Sequence, residues 1–107
     1  MEKVKKYFPS TAKLIKERRE VVGISQTSLA YALGYKNGQF VSNAERGLSS
    51  FPAEKIVLLA EALNCKPELI IEARVEEERI HLTNVVNALQ SGNVEKEVAP
   101  ETIPLDL

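Results

Sequence analysis

Two carboxamide side chains, those of Gln39 and Asn43, stand four residues apart and would share one face of a helix. A carboxamide carries a hydrogen-bond acceptor beside a donor, and this pair matches the N6 and N7 positions that adenine presents in the major groove of DNA. Ser42, next to Asn43, can bond to either a base or a phosphate. Amides at this spacing are common on surface helices, so the interpretation depends on the elements that hold them.

The residues around this pair predict two short helices joined by a turn. Ser25 is a good N-cap for a helix over 26–33, which Gly34 then ends. Asn37 can cap a following helix over 38–45. Two short helices joined by a glycine-containing turn form a helix-turn-helix, in which the second helix can lie in a DNA major groove.

The start of the helix over 26–33 is a candidate phosphate site. Its first N–H groups have no partner within the helix, and the amide of Gln26 and the hydroxyl of Thr27 add donors. An ordinary solvent-facing helix start is the other interpretation of Gln26. Gly38, at the start of the next helix, lets another backbone come close. Phe40 either packs on a thymine methyl or completes the core.

Apolar periodicity predicts three more helices. The first runs over 10–22, with Ser10 as its N-cap and Gly23 just after its end. The fourth follows Pro52 and has the clearest amphipathic pattern in the chain, and Asn64 favours a left-handed exit from it. The fifth runs over 67–90, a length of about 36 Å.

The fifth helix carries an apolar stripe beyond its first turns. Its members are Ile71, Val75, Leu82, Val85, Val86 and Leu89. Because a monomer has little left to cover them, we expect a second copy of the chain to pack there; the alternative is that the segment folds back on its own domain. The acidic run over 76–78 is typical of a solvated face. Residues 92–107, which contain prolines and carry net negative charge, predict a disordered tail.

The net charge of −1 is unevenly distributed along the chain, because residues 1–50 carry +5 and residues 51–107 carry −6. A basic front half suits a polyanionic partner.

No run approaches the roughly 18 apolar residues of a membrane span, no signal peptide opens the chain, and the single Cys65 allows no intrachain disulfide. We therefore expect a cytoplasmic, nucleoid-associated protein. The sequence shows no Ser/His/Asp set, metal-ligand cluster or Gly-rich phosphate loop, so we expect neither an enzyme nor a bound cofactor.

Four pieces of the chain, in order and at compatible spacing, resemble the lambda repressor/Cro-like, or XRE-type, helix-turn-helix family. They are Arg19 with the run over 23–26, Leu29-Ala30 with Leu33-Gly34, the run over 40–47, and Leu58-Leu59-Ala60 with Leu63. The resemblance covers roughly residues 11–72. It implies a five-helix domain that usually acts as a dimer on a pseudo-palindromic operator in double-stranded DNA.

The resemblance also implies roles for single residues. Gln26 resembles the family's phosphate clamp, and Arg46 resembles a residue that contacts the DNA backbone. Arg19 and Glu45 resemble an ion pair that ties the first helix to the end of the third. The predicted DNA-contacting positions are Gln26, Thr27, Lys36, Asn37, Gly38, Gln39, Ser42, Asn43 and Arg46.

The chain departs from the family pattern at two places. It is one residue longer than the commonest spacing between Gly34 and Glu45, which predicts a bulge at Tyr35–Lys36. Gly38 occupies a usual base-reading position without a side chain to read with. Specificity would then rest on fewer contacts and in part on DNA shape.

These observations predict an all-α chain with four parts. A flexible basic arm covers 1–9, a five-helix lambda-repressor-like domain 10–74, a helical extension that forms a dimer 75–91, and a disordered acidic tail 92–107. We predict a sequence-specific transcriptional regulator, a repressor, that reads the major groove with its third helix. The alternative is a protein-interaction module or antitoxin-type regulator whose C-terminal helix and tail bind a partner protein.

Overall fold

The computed structural model describes residues 4–92, which form five α-helices. They are α1 (Pro9–Val22), α2 (Gln26–Ala32), α3 (Gln39–Glu45), α4 (Ile56–Ala62) and α5 (Pro67–Ser91), with a short 3-10 turn at Ala53–Lys55 before α4. The predicted all-α, five-helix fold with a long C-terminal helix is confirmed. The predicted tail, apart from Gly92, and the first three residues of the predicted arm lie outside the described residues.

The helix ends follow the predicted local chemistry, with exceptions at the starts of α1 and α3. Ser25 caps α2, because its hydroxyl accepts a backbone N–H of the first turn at 3.0 Å. Gly23 after α1 and Asn64 after α4 have left-handed φ angles of 84° and 53°. Ser10, however, is not the N-cap of α1. The helix begins at Pro9, whose fixed φ and missing N–H suit the first helical position.

Side chains from every helix form one apolar core. Its fully enclosed members include Ile15, Leu29, Leu33, Val41, Leu59, Leu63 and Ile70. Burying an aliphatic side chain of this size stabilises the fold by roughly 1.5–3 kcal/mol. Leu59 and Leu63 belong to the predicted apolar face of α4, which is therefore confirmed as a core face. This core holds α2 and α3 at a fixed angle to one another.

α5 packs along α1, and this contact buries an acid. Glu77 is only 1% exposed and accepts hydrogen bonds from the backbone N–H of Thr11 and, at 2.7 Å, from the Thr11 hydroxyl. The carboxylate lies at the N-terminus of α1, where free N–H groups and the helix dipole favour negative charge. The prediction that 76–78 forms a solvated face is thus wrong for Glu77. Its neighbour Glu78 stays nearer the surface and pairs with Lys6.

One side of α5 is apolar and exposed. Ile71, Val75, Leu82 and Val86 are 46%, 63%, 53% and 50% exposed, and we call these four residues the α5 stripe. Their separations of four, seven and four residues place them along one side of the helix. The helix therefore folds back on its own domain through its inner face and leaves the stripe uncovered. Among the helices of residues 4–92, none has the length and apolar character required to cross a membrane.

Candidate nucleic-acid interface

The outer face of α3 carries the two carboxamides singled out by the sequence. Val41 and Ala44 are fully buried and determine which side of this seven-residue helix faces the core. Gln39 is exposed and Asn43 is half-buried on the opposite side. The Gln39 Nε2 atom donates to Asn43 Oδ1 at 3.1 Å, as expected for amides four residues apart on a helix.

Arg46, the first residue after α3, joins this pair. Its Nη2 atom donates to Asn43 Oδ1 at 2.5 Å. The three side chains form one connected polar surface, which we call the reading face (Gln39, Asn43 and Arg46). A charged donor beside two amides gives this face both a cation and neutral hydrogen-bonding groups, the two kinds of group that DNA-binding surfaces use for phosphates and base edges.

The other predicted contact residues surround the start of α3. Thr27, Lys36 and Asn37 are exposed, whereas Gln26 and Ser42 are half-buried. The Oδ1 atom of Asn37 accepts the Gln39 backbone N–H at 2.9 Å. Asn37 therefore satisfies one free N–H of the first turn of α3. It is not the N-cap that the sequence predicted, because Gly38 occupies that position and α3 begins one residue later, at Gln39.

Gly38 packs directly against the start of α2. A Cβ atom at this position would lie 3.2 Å from Thr27 Oγ1 and 3.5 Å from the Thr27 backbone nitrogen. The φ angle of Gly38 is −83°, which any residue adopts, so the requirement for glycine comes from this close approach. The predicted close backbone contact is therefore present, and it sets the spacing between the two helices of the motif.

An aromatic cluster holds the turn between α2 and α3, where the sequence predicts a bulge. Gly34 reverses the chain with a φ of 87°, and the ring of Tyr35 then stacks on Phe40 with centroids 5.0 Å apart. The Phe51 ring packs on Phe40 at 5.1 Å. Phe40 thus completes the core, which decides between its two interpretations. Burial raises the pKa of the Tyr35 phenol, consistent with its place in this cluster.

Arg19 and Glu45 form the expected ion pair. Arg19 Nε and Nη2 donate to the two carboxylate oxygens of Glu45 at 2.5 and 3.0 Å, and Arg19 Nη1 donates to the Ile24 carbonyl at 2.9 Å. The Glu45 side chain is 4% exposed and that of Arg19 is 15% exposed. This bidentate pair joins α1 to the last residue of α3 and fixes the orientation of the reading face.

The environment of Glu45 favours its charged form. Burial acts to raise the pKa of this carboxyl, but the hydrogen bonds from Arg19 and Gln26, together with the charges of Arg19 and Lys16, outweigh it and lower the pKa below its ordinary value. The hydrogen bonds that Arg19 donates to Glu45 also raise the pKa of Arg19. The pair is therefore fully ionised at neutral pH.

Gln26 has a contact that the sequence did not predict. Its Nε2 atom donates to Glu45 Oε1 at 3.0 Å, so the amide predicted to clamp phosphate also links α2 to the ion pair. Gln26 and Glu45 are nineteen positions apart in the sequence. Helical periodicity carries no signal for such a contact, because the two residues lie on different helices.

Comparison with known proteins agrees with this arrangement. A family model for the helix-turn-helix, HTH_3, matches residues 15–70, just over half of the chain. Among solved structures, the chain is similar to the restriction-modification controller protein C.AhdI from Aeromonas hydrophila. That similarity has 28% sequence identity and a TM-score of 0.53, and it covers 59% of this chain and 90% of the controller protein. No curated protein sequence gives a significant match.

Proposed function

Because the chain belongs to the HTH_3 helix-turn-helix family, the group that contains the lambda repressor-like proteins, we propose that it is a repressor that binds specific double-stranded DNA sequences through α3. The observation that carries this proposal is the reading face. Three polar side chains stand outward on α3 and on the residue that follows it, and a buried ion pair fixes the angle of this helix. The similarity to a controller protein supports the coarser part of the proposal, a DNA-binding transcriptional regulator.

In this proposal, α3 lies in the major groove and its amides select bases. Gln39 offers an acceptor and a donor to adenine, and Asn43 contacts a neighbouring base. Thr27, Lys36 and Arg46 lie beside them and contribute hydrogen bonds or positive charge toward the phosphates. The basic character of residues 1–50, with a formal charge of +5, supplies the attraction that does not depend on sequence.

We assign the α5 stripe to a second copy of the chain. Four large aliphatic side chains, each more than two-fifths exposed, are an unusual surface for an isolated domain. A two-fold dimer would place two α3 helices in successive major grooves about 34 Å apart. Two copies seated on one operator would occupy a promoter and block its use, which is the basis of the repressor assignment.

The dimer assignment is tested by sedimentation velocity with a matched pair of substitutions. Val75→Glu places a charge within the α5 stripe, whereas Val21→Glu places the same charge on an exposed valine of α1, where the side chain is 70% exposed. We expect the first variant to sediment as a monomer and the second to remain a dimer. A wild-type chain that is monomeric at micromolar concentration would contradict the assignment.

The second candidate function is a protein-interaction module or antitoxin-type regulator. The exposed α5 stripe favours it as well, because a different protein can cover the same apolar side chains. This function predicts that the chain stays monomeric alone and forms a complex only with its partner. It also predicts DNA binding that is absent or is controlled by that partner.

Gel-shift titration tests the DNA-binding function. The full chain is titrated with a random duplex at two salt concentrations, and bound sequences are then selected from a random pool. Binding that weakens steeply as salt rises, followed by recovery of a two-fold symmetric sequence, is the expected result. Absence of any shift at low salt would refute the proposal and favour the interaction module.

A pair of substitutions separates base reading from phosphate contact. Gln39→Ala removes an amide from the reading face and is expected to relax preference at one base position in each half-site, by about 1–3 kcal/mol. Lys36→Ala removes an exposed cation and is expected to weaken binding to selected and random duplexes equally. Equal losses on all duplexes for Gln39→Ala would contradict its reading role.

A further inference from the structure

The Asn43 amide has a fixed orientation on the reading face. Its Oδ1 atom accepts two hydrogen bonds, from Gln39 Nε2 at 3.1 Å and from Arg46 Nη2 at 2.5 Å. Arginine has only donors, so the atom that faces Arg46 must be the oxygen and not the amide nitrogen. That assignment in turn requires Gln39 to direct its nitrogen toward Asn43.

Both acceptor positions of the Asn43 oxygen are occupied by these contacts. No residue within 4–92 accepts a hydrogen bond from the Asn43 Nδ2 atom, which keeps both of its N–H groups. Asn43 therefore offers donors only. Gln39 differs, because it uses one N–H and retains its Oε1 acceptor together with the second N–H. Two side chains with the same functional group are thus prepared for different partners.

We infer that Asn43 selects a base whose major-groove edge carries acceptors, guanine or thymine, while Gln39 alone keeps the acceptor and donor pair that fits adenine. Guanine presents its N7 and O6 atoms as acceptors, and thymine presents O4. Adenine requires an acceptor for its N6 amino group, and the Asn43 oxygen is already occupied. This inference rests on the proposed DNA-binding function and assigns Arg46 as the positioning residue for Asn43.

The test uses the full chain and the duplex selected from the random pool, with each of the four bases placed in turn at every position of one half-site. For the wild type, we expect one position that prefers guanine or thymine over adenine by about tenfold in affinity. Asn43→Asp keeps the acceptor that Gln39 and Arg46 need and removes both donors. It is expected to abolish that preference at the same position and to leave the Gln39 position unchanged.

Two further variants control for charge and for position. Asn64→Asp makes the same amide-to-acid change at an exposed residue outside α3, in a left-handed conformation that Asp tolerates, and is expected to keep the wild-type base preferences. Arg46→Ala frees one of the two acceptor positions of the Asn43 oxygen, so adenine is expected to gain affinity relative to guanine at the Asn43 position. Mere loss of a phosphate contact would weaken all duplexes alike and leave that ratio unchanged.

The outcomes separate this inference from the function on which it rests. Absence of sequence-specific binding refutes the proposed function itself. Specific binding in which the position affected by Asn43→Asp prefers adenine or cytosine in the wild type overturns the inference alone. An unchanged guanine-to-adenine ratio in Arg46→Ala overturns the positioning role of Arg46.

Discussion

Two buried carboxylates hold α1 at its two ends, and they are stabilised by different chemistry. Glu45 forms a bidentate ion pair with Arg19 in the last turn of α1. Glu77 accepts hydrogen bonds from a backbone N–H and a hydroxyl of Thr11 in the first turn. The first contact joins α1 to the reading helix α3, and the second joins α1 to α5.

Because their partners differ, removing Glu45 and removing Glu77 leave different groups without a hydrogen-bond or charge partner. Without Glu45, the guanidinium of Arg19 is left largely buried and without its counter-charge, which is the costliest outcome for a buried pair. Without Glu77, a backbone N–H and a hydroxyl of the buried Thr11 lose their acceptor, but neither of these donors carries a charge. The domain therefore depends more on the junction with α3 than on the junction with α5.

The strongest test of this contrast is Glu45→Ala. We expect the free energy of unfolding to fall by about 3 kcal/mol, the lower end for a broken buried pair, because Arg19 retains some exposure to solvent. Urea unfolding at pH 7 measures it. Glu20→Ala, at an exposed acid of α1 next to Arg19, is the control and is expected to change stability by less than about 0.5 kcal/mol. Similar losses of unfolding free energy for both variants would contradict a particular structural role for Glu45.

Glu77→Ala is expected to have the smaller effect, a loss of about 1–3 kcal/mol from the unpaired donors of Thr11. Native-state hydrogen exchange measures where the loss falls. Exchange should accelerate in the first turn of α1 and in α5, while the amides of α3 keep their protection. Glu72→Ala, at an exposed acid of α5, provides the control. Acceleration that extends equally into α3 would show that the two junctions are not separate.

Lowering the pH neutralises the Glu45 carboxylate without changing the shape of its side chain. Since the folded-state pKa of Glu45 lies below its ordinary value of 4.5, its ionised form contributes stability above that value, and this contribution is lost as the pH falls through the lowered pKa. We expect the difference in urea midpoint between wild type and Glu45→Gln to shrink as the pH falls below 4.5. Subtracting the two urea midpoints at each pH cancels the effect of the other acidic residues, which titrate in both proteins. A constant difference across this range would argue against an ionised Glu45.

Gly38→Ala should change stability least, by less than about 1 kcal/mol, because a restricted unfolded chain offsets the tight contact with Thr27. The same contact displaces α3 by a few tenths of an ångström, so we expect weaker DNA affinity with little loss of stability. Thr27→Ala removes the hydroxyl oxygen that lies 3.2 Å from the added Cβ. The loss of DNA affinity caused by Gly38→Ala in the wild type should therefore be absent when the same change is made in the Thr27→Ala variant.

The sequence predicted those parts of the fold that depend on neighbouring residues. Capping by Ser25, the left-handed residues Gly23 and Asn64, and the outward pair Gln39 and Asn43 all follow from spacings of four residues or fewer. Each is a short-range effect in which the backbone and one side chain determine the geometry.

Contacts between distant segments were not predicted from the residues alone. Glu77 reaches Thr11 across 66 positions, and a glutamate within an acidic run is ordinarily solvated, so its burial had no local signal. The Arg19–Glu45 pair was expected only from the family resemblance. The contact from Arg46 to Asn43 spans three positions, but it lies across the end of α3, where helical spacing no longer predicts which side chains meet.

The stack of Tyr35 on Phe40 gives this chain a built-in optical reporter. The protein has no tryptophan, so its near-ultraviolet absorption and emission come mainly from three tyrosines. Two of them, Tyr7 and Tyr31, are exposed, while Tyr35 lies 5.0 Å from a neighbouring ring and has a raised pKa. Its phenol therefore ionises at higher pH than a free tyrosine. Ionisation of Tyr35 in an alkaline absorbance titration then follows the integrity of the α2–α3 turn without any attached dye.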